Sequence, residues 1–195
     1  MLGSGVGVSV SFGQPFPWPI TNNVIDPDDL STANWSWGDT PGTIAAGDAA
    51  LISGQTFWEI ESGDISTDRR QAIGIPAQTR QHVSVFIKQG NFDYAGFQCH
   101  VLGGAVTDVA ALQYRFSTEA LVSSVAEAMV MNAYGIEDWG NGIFRLWMDF
   151  TPRTAGGVGC YILIHDEATS GAGQMAQYWQ VEHRLGAYVS AAPVQ

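Results

Sequence analysis

Apolar and polar residues alternate with a period of two in short runs, and clusters of Gly, Pro, Asn and Asp interrupt them. That pattern leaves little room for any fold but an antiparallel all-β one. In His82–Lys88, Val83, Val85 and Ile87 oppose His82, Ser84 and Lys88. In Ala95–Val101, Phe97, Cys99 and Val101 oppose Gln98 and His100, and in Leu112–Phe116, Leu112, Tyr114 and Phe116 oppose Gln113 and Arg115. The longest case is Ile143–Phe150, where Phe144, Leu146, Met148 and Phe150 share one face and Arg145, Trp147 and Asp149 the other. A last run, Ala176–Glu182, sets Trp179 and Val181 against Tyr178, Gln180 and Glu182. Each strand then has one core face and one wetter face, and many such strands predict an antiparallel β-sandwich or jelly roll. Leu121–Ala133 is rich in Ala, Val and Met and reads either as a short helix or as two more strands.

The 195 residues suffice for one domain with a sizeable core. Residues 1–20 stand apart: they carry no charge, are rich in Gly and Ser, and end in Pro15, Pro17 and Pro19. They read as an extended N-terminal attachment arm, whose Val6–Ser11 stretch could add a strand to a neighbour's sheet edge. The sandwich domain is expected over 21–195.

Charge excludes several partners. The net charge is −11 and Lys88 is the only lysine, so no basic stripe exists to displace counterions from nucleic acid. No apolar run approaches membrane-spanning length, and the N-terminus lacks the basic and apolar regions of a secretory leader. Assembly in the cytosol is expected. Cys99 and Cys160 lie in strand-like runs and are read as two small buried thiols, a single bridge between them being the alternative.

Catalytic signals are weak. Glu59 and Glu61 on one strand would point the same way, roughly 6.5–7 Å apart, the reach of a glycosidase carboxylate pair. Sandwich glucanases use an E-x-D-x-x-E strand, from which Glu59-Ile60-Glu61-Ser62-Gly63-Asp64 departs at two acids, so both glutamates are read as a solvated face. His82, His100, His165 and His183 have no metal-site spacing, and His165-Asp166-Glu167 is read as a loop. No G-x-S-x-G elbow occurs. The chain is therefore expected not to be an enzyme.

The residues opposite the apolar set carry the binding signal. Gln98, His100, Gln113, Arg115, Arg145, Trp147, Tyr178, Gln180 and Glu182 would, in one sheet, surround aromatic rings with planar polar groups. Sugar rings need that mixture, a flat surface for their C–H face and amides, guanidinium and carboxylates for their hydroxyls. The candidate glycan-binding residues are Gln98, His100, Arg115, Arg145, Trp147, Tyr178 and Gln180. The alternative is that the same face packs against a sister subunit or the arm, which Trp147 and Tyr178 would suit equally.

The order of segments also resembles a family of phage tail-fibre-type carbohydrate-binding domains. Asn23-Val24-Ile25-Asp26-Pro27-Asp28-Asp29-Leu30-Ser31, followed by Asn34-Trp35, is similar to that family's opening. Val83-Ser84-Val85-Phe86-Ile87-Lys88-Gln89-Gly90 resembles its "vs-hydrophobic-K-x-G" strand, and Gly140-Asn141-Gly142-Ile143-Phe144-Arg145 its "GNGWYR" turn and strand. Tyr178-Trp179-Gln180-Val181-Glu182 resembles its closing "W-x-Q-hydrophobic-E" strand, and Gly186-Ala187-Tyr188-Val189 stands where the family often has "SYIPT". The likeness spans about residues 22–192; Ile143 replaces the usual tryptophan, and the tail lacks the full "IPT". Asn141-Gly142 makes physical sense as a hairpin turn, since both positions tolerate positive φ. Trp35 and Trp179 are read as core anchors.

The resemblance implies a lectin-like jelly roll in a bacteriophage virion protein assembled in the host cytoplasm: a tail-fibre, receptor-binding or head-fibre component. It would bind host-surface polysaccharide, attach to other virion proteins through the arm, and form a homo-oligomer, a trimer being the fibre-protein pattern. The alternative is a capsid or tail decoration protein that binds no glycan. No cofactor is expected. Structural calcium is an ion such sandwiches can hold, and no ligands for it are assigned.

Overall fold

The alternation builds strands, and the strands pair into two sheets. The structure, a computed structural model, describes residues 22–38, 41–63, 68–73, 78–102, 109–125, 129–153, 157–163 and 172–186. The expected arm over 1–20, the His165-Asp166-Glu167 loop and the tail motif from Ala187 lie outside them.

In chain order the strands are β1 (Ser36–Trp37), β2 (Thr43–Ala49), β3 (Thr56–Glu61), β4 (Asp68–Ile73), β5 (Gln81–Gln89) and β6 (Tyr94–Leu102). There follow β7 (Val109–Arg115), a 3-10 turn at Phe116–Thr118, β8 (Ala120–Val125), β9 (Met129–Asp138), β10 (Ile143–Pro152), β11 (Gly157–Leu163) and β12 (Met175–Leu185). The first sheet has the order β1-β4-β11-β6-β7-β8 and the second β2-β3-β12-β5-β10-β9, with every pairing antiparallel. The fold is the expected antiparallel β-sandwich of jelly-roll type. Of Leu121–Ala133, the described residues 121–125 and 129–133 are strands: helix propensity is a weak prior, and pairing with β7 and β10 outweighs it. Among the described residues no helix is long and apolar enough to cross a membrane.

The core lies between the sheets. Phe97, Cys99, Leu112 and Tyr114 from the first meet Val83, Val85, Ile87, Leu146, Met148 and Phe150 from the second, all as the alternation predicts. Cys99 is buried there, directly across from Cys160 in the β6–β11 register. The Asn23–Trp35 segment plugs the sandwich: Val24, Leu30 and Trp35 join the core. Buried peptide groups need partners, and side chains supply them here. The Trp35 indole donates to the Asp26 carbonyl at 3.0 Å and the Trp58 indole to the Asp28 carbonyl at 2.9 Å. Arg69 donates to the Leu30 carbonyl at 2.7 Å, and Gln71 pairs with the Ile25 backbone at 2.8 and 3.0 Å. The opening motif is thus built for packing.

Two local features repay attention to φ. The β9–β10 hairpin turns through Asn141 (φ 54°) and Gly142 (φ 73°), as the Asn-Gly pair predicts. In β12, Trp179 pairs with Phe86 and Glu182 with Ser84, so Gln180 and Val181 together oppose Val85. This is a β-bulge, and Gln180 occupies its left-handed position at φ 48°.

The bulge corrects the expected faces of this strand. Tyr178 points inward and Trp179 outward, the reverse of the simple alternation, while Val181 in the core and Glu182 outside hold because the extra residue restores the phase. Trp179 is still an anchor, but of a second apolar cluster on the outer face, with Phe57, Phe86 and Ile143 beneath Ala50, Leu51 and Ile52. The Gln180 side-chain oxygen is buried without a hydrogen-bond partner among the described residues. Gln180→Gly should therefore stabilise the fold by about 1 kcal/mol, read as a raised melting temperature, because glycine accepts the left-handed backbone and removes the stranded acceptor.

Candidate functional site

Register assembles the outer face of the second sheet into rows. Glu137, Arg145, Phe86 and Trp179 lie across β9, β10, β5 and β12 in one row. Gly135, Trp147, Ser84 and Glu182 form the next, and Ala133, Asp149, His82 and Arg184 the third. The Ala50–Gln55 turn and Trp139 cover the Phe86–Trp179 end. The Trp147 end holds the polar rows.

Arg145 is the hub. Only 7% exposed, it donates to Glu182 Oε2 at 2.8 Å and to Ser84 Oγ at 3.0 Å, with Glu137 Oε2 at 3.5 Å. Its guanidinium also sits 5.8 Å from the Phe86 ring centre. Glu137 accepts from the Trp139 indole at 3.1 Å, and Arg184 Nε lies 3.6 Å from Glu182 Oε1. In the third row Asp149 bridges His82 Nδ1 at 2.8 Å and Arg80 Nη2 at 2.6 Å. Burial pushes the His82 pKa down, and the hydrogen bond to Asp149 only partly opposes it.

Trp147 is half-buried and rests on Gly135 of the edge strand. A Cβ at Gly135 would lie 2.8, 2.9 and 3.0 Å from Cζ2, Cε2 and Nε1 of the indole. Only glycine lets the ring settle on the strand in this way. The His82 ring lies on its other flank, 6.3 Å away between centroids and tilted by 31°. Chemically the face offers an aromatic platform beside the partly exposed Glu182 and Glu137 carboxylates, which the buried Arg145 holds in place.

Of the sequence-predicted site residues, the structure brings Arg145 and Trp147 together here, with Glu182 beside them. It does not bring the others. Gln98 and His100 on β6 and Arg115 on β7 lie on the outer face of the first sheet, the opposite side of the sandwich. There Arg115 pairs with Asp93 at 2.9 Å and stacks over Tyr94, while burial and the charge of Arg70 lower the His100 pKa. Tyr178 is fully buried in the core, within hydrogen-bond reach of the Gly96 amide at 3.3 Å, and burial raises its pKa. Gln180 is spent on the bulge. The expectation of one continuous polar face fails because the strands that carry it divide between two sheets.

Sequence reasoning passed over Gly135, Glu137, Asp149 and Arg184 as site residues. Asp149 stood on the wet face of its strand, but nothing in one strand shows which neighbour will lie beside it. Glu59, on the outer face of β3, is in reach of the Gln177 amide at 3.4 Å, and Glu61 of the Thr43 hydroxyl at 3.4 Å. Among the described residues no group of His, Cys, Asp and Glu could hold a metal ion.

No protein-family model matches the sequence, and neither does any curated protein. Solved structures do match. The enzymatically active domain of tailspike protein 4 of bacteriophage CBA120 superposes with a TM-score of 0.52 at 14% identity, over 84% of this chain and 21% of the tailspike chain. The CBM22-1 xylan-binding domain of Paenibacillus barcinonensis Xyn10C gives 0.49 at 9% identity over 84% of this chain and 92% of its own. The CBM22-1–GH10 modules of Clostridium thermocellum xylanase 10B give 0.49 at 11% identity, over 91% of this chain and 30% of that one. The chain spans about a fifth of the tailspike's length, and what the likeness at 14% identity establishes is a shared β-sandwich fold.

Proposed function

We propose that the protein binds glycan on the outer face of its second sheet and acts as a binding domain without catalysis. The observation that carries this reading is the Trp147 indole seated on Gly135 beside the Arg145–Glu182–Ser84 network. A pyranose stacks its C–H face on such a ring, and groups already fixed by their neighbours lose little entropy on meeting its hydroxyls. The biological setting that fits is a bacteriophage virion component that recognises host-surface polysaccharide. The tail-fibre-like segment order and the tailspike-like fold support it. Attachment through residues 1–20 and assembly into a homo-oligomer complete the reading, with many copies on one particle offsetting weak single sites.

The test is a bacterial-polysaccharide array with wild type and Trp147→Ala. A wild-type hit that weakens about 30-fold or more in the variant, the scale of a ~2 kcal/mol hot spot, is expected. A hit untouched by the substitution moves the site away from this face. A folded, correctly assembled protein that binds no glycan favours a decoration protein acting through subunit interfaces. Turnover of a bound polysaccharide by wild type, lost in a Glu59→Gln, Glu61→Gln double variant, would overturn the non-enzymatic reading.

A further inference from the structure

From the charge pairing on this face we infer that its ligand is an uncharged glycan, read across the strands as a unit of at least a disaccharide. The inference rests on the glycan-binding reading and narrows it. Among the described residues, each cation on the face already has its anion: Arg80 has Asp149, Lys88 has Asp48, Arg145 has Glu182 and Glu137, and Arg184 has Glu182. A uronate, sialate or phosphate would meet carboxylates first: the Arg145 and Arg184 guanidinium groups are nearly buried, whereas the Glu182 side chain is 23% exposed and that of Asp48 52%. Like charges repel there, and taking Arg80 from Asp149, whose side chain is 1% exposed, would leave a buried charge uncompensated. The chain's net charge of −11 repels a polyanion further.

Hydroxyls face no such obstacle, because they donate to lone pairs of the partly exposed Glu182 and Glu137 carboxylates without displacing the guanidinium. Trp147 on β10 and Glu182 on β12 are two strands apart, with Ser84 of β5 between them in the same row. Two strand spacings amount to about 10 Å, the scale of a disaccharide. One ring would stack on Trp147 and the next would meet Glu182, which the buried Arg145 and Ser84 hold in place. Gly135 sets this specificity indirectly, as a positioning residue that seats the platform.

The experiment is affinity electrophoresis and calorimetry with a neutral β-glucan, a neutral mannan and a polygalacturonate. Each is run at about 0.01 M and about 1 M NaCl, where the screening length falls from about 30 Å to about 3 Å. Binding to a neutral polymer that changes less than about twofold across that range is expected, with no polyuronate binding at either salt. Gly135→Val should weaken it at least about tenfold with an unchanged melting temperature, since valine suits an edge strand and only the indole must move. Polyuronate binding that fades with salt and with Trp147→Ala would overturn the uncharged-ligand inference while leaving the glycan site standing. Neutral binding unaffected by Gly135→Val would overturn the role given to the platform. Binding to none of the polymers, in an otherwise folded sample that also fails on the bacterial array, removes the glycan reading itself.

Discussion

Arg145→Ala should lower stability by about 3–5 kcal/mol, the cost of breaking a buried ion pair from one side. At roughly 2–4 °C per kcal/mol for a domain of this size, the melting temperature should fall by roughly 10 °C. The guanidinium is nearly buried and holds Glu182, Glu137 and Ser84 at once, so its removal leaves Glu137 without this cation and Glu182 with only Arg184 at 3.6 Å. It also strips the cation from the Phe86 ring. Arg145→Lys should recover only part of the loss, because an ammonium cannot fork between Ser84 and Glu182 as a planar guanidinium does. Thermal unfolding of both variants, with Glu182→Gln and the double variant to close a cycle, measures the coupling. A loss below about 1 kcal/mol would mean that the network behaves like an exposed surface pair.

Acidification should cost nearly as much. His183 is fully buried, pairs with Asn23 at 3.2 Å, and has its pKa lowered to about 4, chiefly by burial and then by the nearby His82. Its folded pKa lies below the ordinary histidine value of about 6.5, so between the two the unfolded chain binds the extra proton. Stability from this group is complete above pH 6.5, declines as the pH falls towards 4, and is flat below that. The loss is on the order of 3 kcal/mol. His82, lowered for the same reason, titrates in the same direction. Melting temperatures of wild type and His183→Gln from pH 7 to pH 4.5 check this: the wild type should drop and the variant should drop less. Equal slopes would assign the acid sensitivity elsewhere.

Two of the groups in these predictions do double duty. Arg145 and His82 stand on the face proposed to meet sugar, yet each is held by a buried partner, Ser84 and Asp149. Stability and binding can still be separated on this face. Trp147 and Gly135 contribute to the platform with little in the core resting on them, so their variants report on binding, whereas Arg145 variants report on both.

Which residues face inward was legible along most strands, because burying one face of a pleated strand forces period two and leaves its mark in consecutive residues. Val83, Val85 and Ile87, or Leu146, Met148 and Phe150, needed no partner to be recognised as core. The Asn141-Gly142 turn was equally local, since its requirement for positive φ is met by those residues alone. Tyr178 and Trp179 were misplaced because a bulge adds one residue and reverses the phase on one side of it. The left-handed Gln180 that marks the bulge carries no signal of its own in the sequence. The division of the polar face could not be read along the chain at all. β6 and β7 belong to one sheet and β5, β10 and β12 to the other, although β5 and β6 are consecutive. Sheet membership comes from which strands find hydrogen-bond partners across long stretches of chain, and alternation is the same in either sheet. For that reason Gln98, His100 and Arg115 parted from Arg145 and Trp147, and Gly135 and Glu137 arrived beside them, only when the tertiary structure formed.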